Sequence, residues 1–166
     1  MSVGRFLAGI AALIWNPVDD SYLILRRAAT KDFGAGNWEC VTGRVDQGEG
    51  FQDALCREVQ EEIGVTPHVA FMVGTSHFYR GEAIPANELV GVIYCCTVDN
   101  RAAITLCTEH DALRWVTAAE ADVLFRADER RSHQWLLDVI QRVQFARDRL
   151  PPELRSFYHY RGFETN

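Results

Sequence analysis

The chain is poor in the features that mark several large function classes. Basic residues are outnumbered, 17 Lys and Arg against 23 Asp and Glu, for a formal charge of −6. Nucleic-acid binders and membrane-surface proteins present a positive footprint to phosphate, so no stable nucleic-acid partner and no membrane partner are expected. The five cysteines, Cys40, Cys56, Cys95, Cys96 and Cys107, are odd in number and include no CxxC pair. That excludes a zinc or disulfide framework and predicts small apolar core residues in a reducing compartment, hence a cytoplasmic protein. There is no internal repeat, no low-complexity segment and no apolar run long enough to span a bilayer. The nearest approach, Phe6 to Trp15 behind Arg5, lacks a small-x-small cleavage site. A matching apolar run from Tyr22 to Leu25 follows across the turn-forming Asn16-Pro17-Val18-Asp19-Asp20-Ser21, which predicts a hairpin rather than a signal peptide. With 166 residues, 48% hydrophobic and 24% charged, the composition is that of one ordinary globular domain.

What the chain does carry is concentrated between Gly43 and Val65, GRVDQGEGFQDALCREVQEEIGV. Phe51, Leu55, Val59 and Ile63 recur every four residues, Asp53 falls in the first turn and Gly64 stands where a left-handed cap belongs, which predicts a helix over Phe51–Ile63. On it Glu58, Glu61 and Glu62 occupy i, i+3 and i+4, so their carboxylates project side by side. Like charges at that spacing cost an isolated helix about 0.2 to 0.5 kcal/mol per pair. A solvated acidic face is one account of them. A bound cation is the other, and hard oxygen donors suit Mg²⁺, Mn²⁺ or Ca²⁺ rather than zinc or copper.

Written as spacing, the stretch is Gly43, five residues, Glu49, seven residues, Arg57-Glu58-Val59, one residue, Glu61-Glu62, one residue, Gly64-Val65. It resembles the Nudix box, G-x5-E-x7-REU-x-EE-x-GU with U a bulky aliphatic, at every defined position. The resemblance covers roughly Val3 to Val143 and implies the Nudix fold, an αβα sandwich with a central mixed β-sheet, over 1–150, with 151–166 as a tail. It implies a Mg²⁺-dependent (or Mn²⁺-dependent) pyrophosphohydrolase that cleaves a diphosphate linkage by attack of water on phosphorus. By motif, Glu58, Glu61 and Glu62 are metal ligands, the Gly43 carbonyl adds a ligand, Glu49 completes the charged cluster, and Arg57 pairs with an acid of the box. Candidates for the base that activates the water are Glu61 and Glu62 in the box and Glu109 in the later Thr108-Glu109-His110 loop, where His110 reads as an exposed loop histidine. Many family members read Trp-x-x-Pro-Gly-Gly into the box, whereas here Trp38-Glu39-Cys40-Val41-Thr42-Gly43 stands. With the Thr-Glu-His loop and Trp115, this is similar to the branch that includes dihydroneopterin triphosphate pyrophosphatase. The implied partner is a small nucleoside or pterin polyphosphate.

Around the box, strands are predicted over Val3–Trp15, Tyr22–Arg27, Val69–Tyr79, Leu89–Val98 and Leu113–Val116. Thr117 with Glu120 forms a capping-box pattern before a helix over Ala118–Phe125. A last amphipathic helix over Ser132–Arg149 turns Trp135, Leu136, Val139, Ile140 and Val143 inward, and Pro151-Pro152 stops it. Arg26, Arg27 and Arg80 are candidate phosphate contacts and Trp38 a candidate stacking surface, while Lys31 sits on a Gly-rich loop that would serve as a phosphate gate. The aromatic tail has three placements open to it: on its own domain, over the substrate mouth, or in a homodimer interface. Two other classes compete with the hydrolase. A non-catalytic nucleotide- or protein-binding module usually loses box acids, and here all are present. An isomerase of allylic diphosphates needs a cysteine facing the substrate, for which Cys40 and Cys95 are available.

Overall fold

The computed structural model describes residues 4–31 and 34–165. Its strands are β1 (Leu7–Asn16), β2 (Ser21–Arg27), β3 (Trp38–Glu39), β4 (Val41–Arg44), β5 (His68–Tyr79), β6 (Glu88–Thr97) and β7 (His110–Thr117). Its helices are α1 (Phe51–Ile63), α2 (Ala118–Phe125), α3 (Arg131–Arg147) and α4 (Pro152–Arg161). The strands make one seven-stranded mixed sheet whose main path runs β3-β2-β1-β6-β5, with β4 on β1 and β7 on β2. β1 and β2 form the expected antiparallel hairpin, Trp15 opposite Tyr22. β6, nearly all apolar, lies in the interior beside β1 in parallel, Ile10 opposite Val92.

Alternation along the strands splits the core into two layers, as a sheet covered on both faces requires. Ile10, Ala12 and Ile14 of β1 pack with Leu23, Leu25, Tyr94 and Cys96 against Ala54, Leu55, Val59 and Ile63 of α1. Ala11 and Leu13 face the other way, with Tyr22, Ile24, Ile93 and Cys95, against Phe125 of α2 and Leu136, Val139, Ile140 and Val143 of α3. The αβα sandwich is therefore present.

Three elements differ from the reading of the sequence. The first strand begins at Leu7, after an irregular 4–6, and Val3 lies outside the described residues. His110 does not sit in an exposed loop but opens β7, 5% exposed, opposite Arg27 where the β2–β7 register shifts. Pro151-Pro152 ends α3 but also starts α4, because proline at a first helical position gives up only an amide that would be unpaired there. The tail thus docks on its own domain: Leu154, Arg155 and Tyr158 line a small cavity with Ala70, Phe71 and Met72 of β5. No helix among the described residues is long and apolar enough to cross a membrane.

Candidate active site

β4 delivers Gly43 to the foot of α1. It pairs with β1, Ile10 opposite Gly43, so the backbone before the helix is fixed by the sheet. α1 then runs between the caps Gly50 and Gly64, and the left-handed φ of 72° at Gly64 closes it with a bond from its amide to the Gln60 carbonyl. Beyond the helix, the amides of Thr105 and Cys107 donate to the carbonyls of Ile63 and Glu62, each at 3.0 Å, which ties the segment before β7 to the acidic end of α1.

The acids fall into two layers. In the outer one Arg57 spreads its guanidinium across the cluster: Nε donates to Glu49 Oε1 at 2.7 Å, one terminal nitrogen to Glu49 Oε2 at 2.8 Å and to the Arg44 carbonyl at 2.9 Å, and the other to Glu58 Oε1 at 2.8 Å. This pairing, with the Asp46 amide, pulls Glu49 down to about 2. Glu61 is the freest of the set, its side chain 59% exposed and 3.4 Å from Arg57. The inner layer is Glu62, 6% exposed. Burial first, then the charges of Glu39, Glu58 and Glu109, push its carboxyl up to about 9 against a backbone hydrogen bond from Thr42. Its Oε2 has no hydrogen-bond partner and lies 3.9 Å from Nδ1 of His110, which has none either. Behind them His110 Nε2 lies 2.9 Å from Glu39 Oε1, which also accepts from Arg27 at 2.9 Å. With Nε2 donating to Glu39, His110 turns its accepting nitrogen toward Glu62. Sequence reading missed this Arg27–Glu39–His110–Glu62 chain. The signal available was a lone acid beside Trp38, with nothing along the chain to link it to His110.

A divalent cation fits this arrangement on three counts. The donors are all oxygen. Glu62 holds a buried oxygen with no partner. A Cβ on Gly43 would lie 1.9 Å from the carboxyl carbon of Glu58, so only glycine lets the Gly43 carbonyl and the Glu58 carboxylate occupy one cradle. Among the described residues, however, no three acid, histidine or cysteine side chains already converge into a cage. Arg57 instead neutralises the outer acids.

The remaining candidates lie around this centre. Glu109 pairs with Lys31 at 2.7 Å, and that bond pulls its carboxyl below the usual range. Its carbonyl accepts from Ala28 at 2.8 Å, so the Lys31 loop and the Glu109 loop are held together. Arg26 pairs with Asp111 at 2.6 Å and lies over the Trp38 ring, 5.9 Å from its centroid. Trp38 is half-buried and packs on the α3 side of the core. Arg27 faces inward to Glu39. Arg80 follows β5, three strands across the β4-β1-β6-β5 path from Gly43 and five residues beyond Thr75, the β5 residue level with it, so it lies well away from the box. Cys40 and Cys95 are buried in the core, 1% and 0% exposed, with burial raising both thiols, so neither faces a substrate.

Residues 5–137 match the model of the NUDIX domain. The chain belongs to the Nudix family. Over 114 residues it is 29% identical to the nucleoside triphosphatase NudI of Escherichia fergusonii, covering 64% of this chain and 79% of that one. The NudI of Klebsiella pneumoniae is 30% identical over 67% of this chain and 82% of that one, whereas the chain spans only 27% of an octanoyltransferase of Myxococcus xanthus, which it matches at 31% identity over 60% of this chain. Among solved structures, a MutT protein of Methanosarcina mazei superposes with a TM-score of 0.71 at 21% identity, over 90% of this chain and all of the other. The dihydroneopterin triphosphate pyrophosphohydrolase of E. coli superposes at 0.60 and 21%, over 89% and 99%. At these identities the structures speak to the fold, and the Nudix fold is what they show.

Proposed function

We propose that the protein is a Mg²⁺-dependent (or Mn²⁺-dependent) pyrophosphohydrolase acting on a nucleoside polyphosphate or a related pterin polyphosphate. The observation that carries the reading is the full set of box acids arranged around a buried, unpartnered oxygen of Glu62 and the Gly43 carbonyl. Glu58, Glu61, Glu62, Glu49 and Gly43 would hold the cation. When bound, it supplies charge neutralisation between carboxylates and diphosphate and acidifies water at the site.

The chain's own residues supply the rest. Arg57 fixes Glu49 and Glu58 relative to each other, and Thr42 fixes one oxygen of Glu62. Glu109, an ionised carboxylate that Lys31 draws below its usual range, would accept the proton of the attacking water, with Glu61 the competing acceptor inside the box. Lys31 and Arg26, each resting on a carboxylate, are the cations for which a polyphosphate would compete, and the Trp38 face beneath Arg26 offers a flat surface to a base or pterin ring. The intact acids favour this over a binding module that has lost its chemistry. NudI, the curated relative matched over most of its length, is named as a nucleoside triphosphatase, which agrees with a nucleotide substrate.

A screen of nucleoside and pterin polyphosphates with and without Mg²⁺, reading orthophosphate and pyrophosphate separately, tests the proposal. Turnover that requires the cation supports it. Tight binding of the same compounds without turnover would make the protein a recognition module.

A further inference from the structure

The helix that bears the acids has no cap of its own. Its first residue outside is Gly50, extended at φ −81° and ψ 169°, with no side chain to accept from the amides of the first turn. Ser, Thr, Asp and Asn are favoured there because their oxygens satisfy those amides. In this protein the acceptor arrives from more than a hundred residues away. Glu164 receives the Phe51 amide on one carboxylate oxygen at 2.7 Å and the Gln52 amide on the other at 3.0 Å, a bidentate anion on the positive end of α1.

The segment that carries Glu164 is built to hold it there. The Phe163 ring is stacked on Tyr158 of α4, centroids 4.4 Å apart, and meets Tyr94 of β6 edge-on at 5.9 Å. The Phe163 amide donates to the Gln52 side-chain oxygen. Gly162 takes a left-handed φ of 74° at the end of α4, turning the chain back toward α1. Gly50 completes the fit. Its backbone angles suit any residue, yet a Cβ there would lie 2.4 Å from Glu164 Oε2. The glycine thus leaves room for the incoming carboxylate, which any larger residue would have to displace, and its own conformation does not call for it.

We infer that Glu164 is a positioning residue, the N-cap of the acid-bearing helix supplied by the carboxy-terminal segment, and that docking of this segment sets the geometry of Glu49. Glu49 immediately precedes Gly50, so fraying of the first turn releases the loop that presents Glu49 to Arg57. The step from cap to cation rests on the metal role proposed for Glu49, whereas the cap itself does not.

The test is a cycle of Glu164→Ala and Gly50→Ser in the full chain. Three quantities are read: amide exchange at Phe51 and Gln52, the melting temperature with chelator, and Mn²⁺ affinity by calorimetry. Glu164→Ala should speed exchange at those amides about fivefold and lower the melting temperature by about 2 to 4 °C, the size of a lost cap in a chain this long. Gly50→Ser alone should displace the Glu164 carboxylate and cap the first turn itself, leaving exchange and melting near wild type. Combined, the serine takes over as a local cap, and exchange and melting should return most of the way to wild type. Mn²⁺ affinity should fall severalfold in Glu164→Ala and recover in the double variant. Unchanged exchange and melting in Glu164→Ala, or a double variant that recovers neither, would overturn the cap. A cycle that rescues exchange and melting while Mn²⁺ affinity never changes would overturn the link to Glu49 and leave the cap standing.

Discussion

Helix α1 and the turn before it hold their acids in two layers that meet the same electrostatic problem in opposite ways. In the outer layer Glu49 and Glu58 are already neutralised by the fork of Arg57, and Glu61 relaxes into solvent. Such partly exposed pairs contribute little stability, so their value lies in fixing geometry. In the inner layer Glu62 is buried among like charges, with one oxygen unpaired and the Nδ1 of His110 facing it equally unpaired. A buried orphan acceptor costs about 1 to 3 kcal/mol, and a fold tolerates it where something else completes it in the working state. The comparison teaches that the outer acids are held by the protein's own cation, while the inner acid keeps an unpaired oxygen, the one the proposed cation would take.

The hardest way to break this contrast is to remove the inner acid. Glu62→Gln should reduce turnover by about 10³-fold or more, since even outer partners of metal ligands are worth 10 to 100-fold. Near-wild-type rates at limiting Mg²⁺ would mean that Glu62 holds nothing. Next in size is Glu109→Gln, for which steady-state kinetics should show kcat lower by about 10² to 10⁴ with KM little changed, the signature of a lost general base. A loss under about tenfold, with Glu61→Gln the worse variant, would move the base into the box.

Glu39→Gln sharpens the comparison from behind. It removes the charge that orients His110 and anchors Arg27, and calorimetry should record Mn²⁺ affinity about 10 to 100-fold weaker with the fold intact. The smallest effect is on stability and carries a defined sign. In chelator the folded protein keeps a proton on Glu62 up to about 9, while the unfolded chain releases it near the ordinary value of 4.5. The folded state therefore binds more protons across that window, and the contribution of Glu62 to stability is lost as pH rises through it. Melting curves across the window should fall more steeply for wild type than for Glu62→Gln, and saturating Mg²⁺ should reverse the ranking at high pH. Parallel curves would place Glu62 in contact with water.

The box and its helix were legible because their information is local. The four-residue repeat from Phe51 to Ile63 and the glycine after it give the bounds of α1 as observed, and Thr117 with Glu120 forms the expected capping box at the start of α2. The features that could not be read depend on contacts across the sheet. Glu39 lies in a two-residue strand too short to show a period, and its link to His110 spans 71 positions. His110 follows polar Thr108 and Glu109 and precedes Asp111, a run that reads as loop, yet pairing with β2 draws it into the core. α4 was hidden by two prolines and by the lack of any fully buried residue along its length. Glu164 caps a helix 113 residues earlier, and no local pattern announces such a partner.

The account turns on whether the acids of α1 hold a cation with Glu62 at the centre, and calorimetric titration of Mn²⁺ into the wild type, Glu58→Gln, Glu62→Gln and Asp53→Asn measures that directly. Asp53 is an exposed acid in the first turn of the same helix and serves as the control. The account predicts saturable binding to the wild type, affinity at least about tenfold weaker in both Gln variants, and no more than about a twofold change in Asp53→Asn. Equal affinity across all four proteins, or no saturable binding to the wild type, would contradict it.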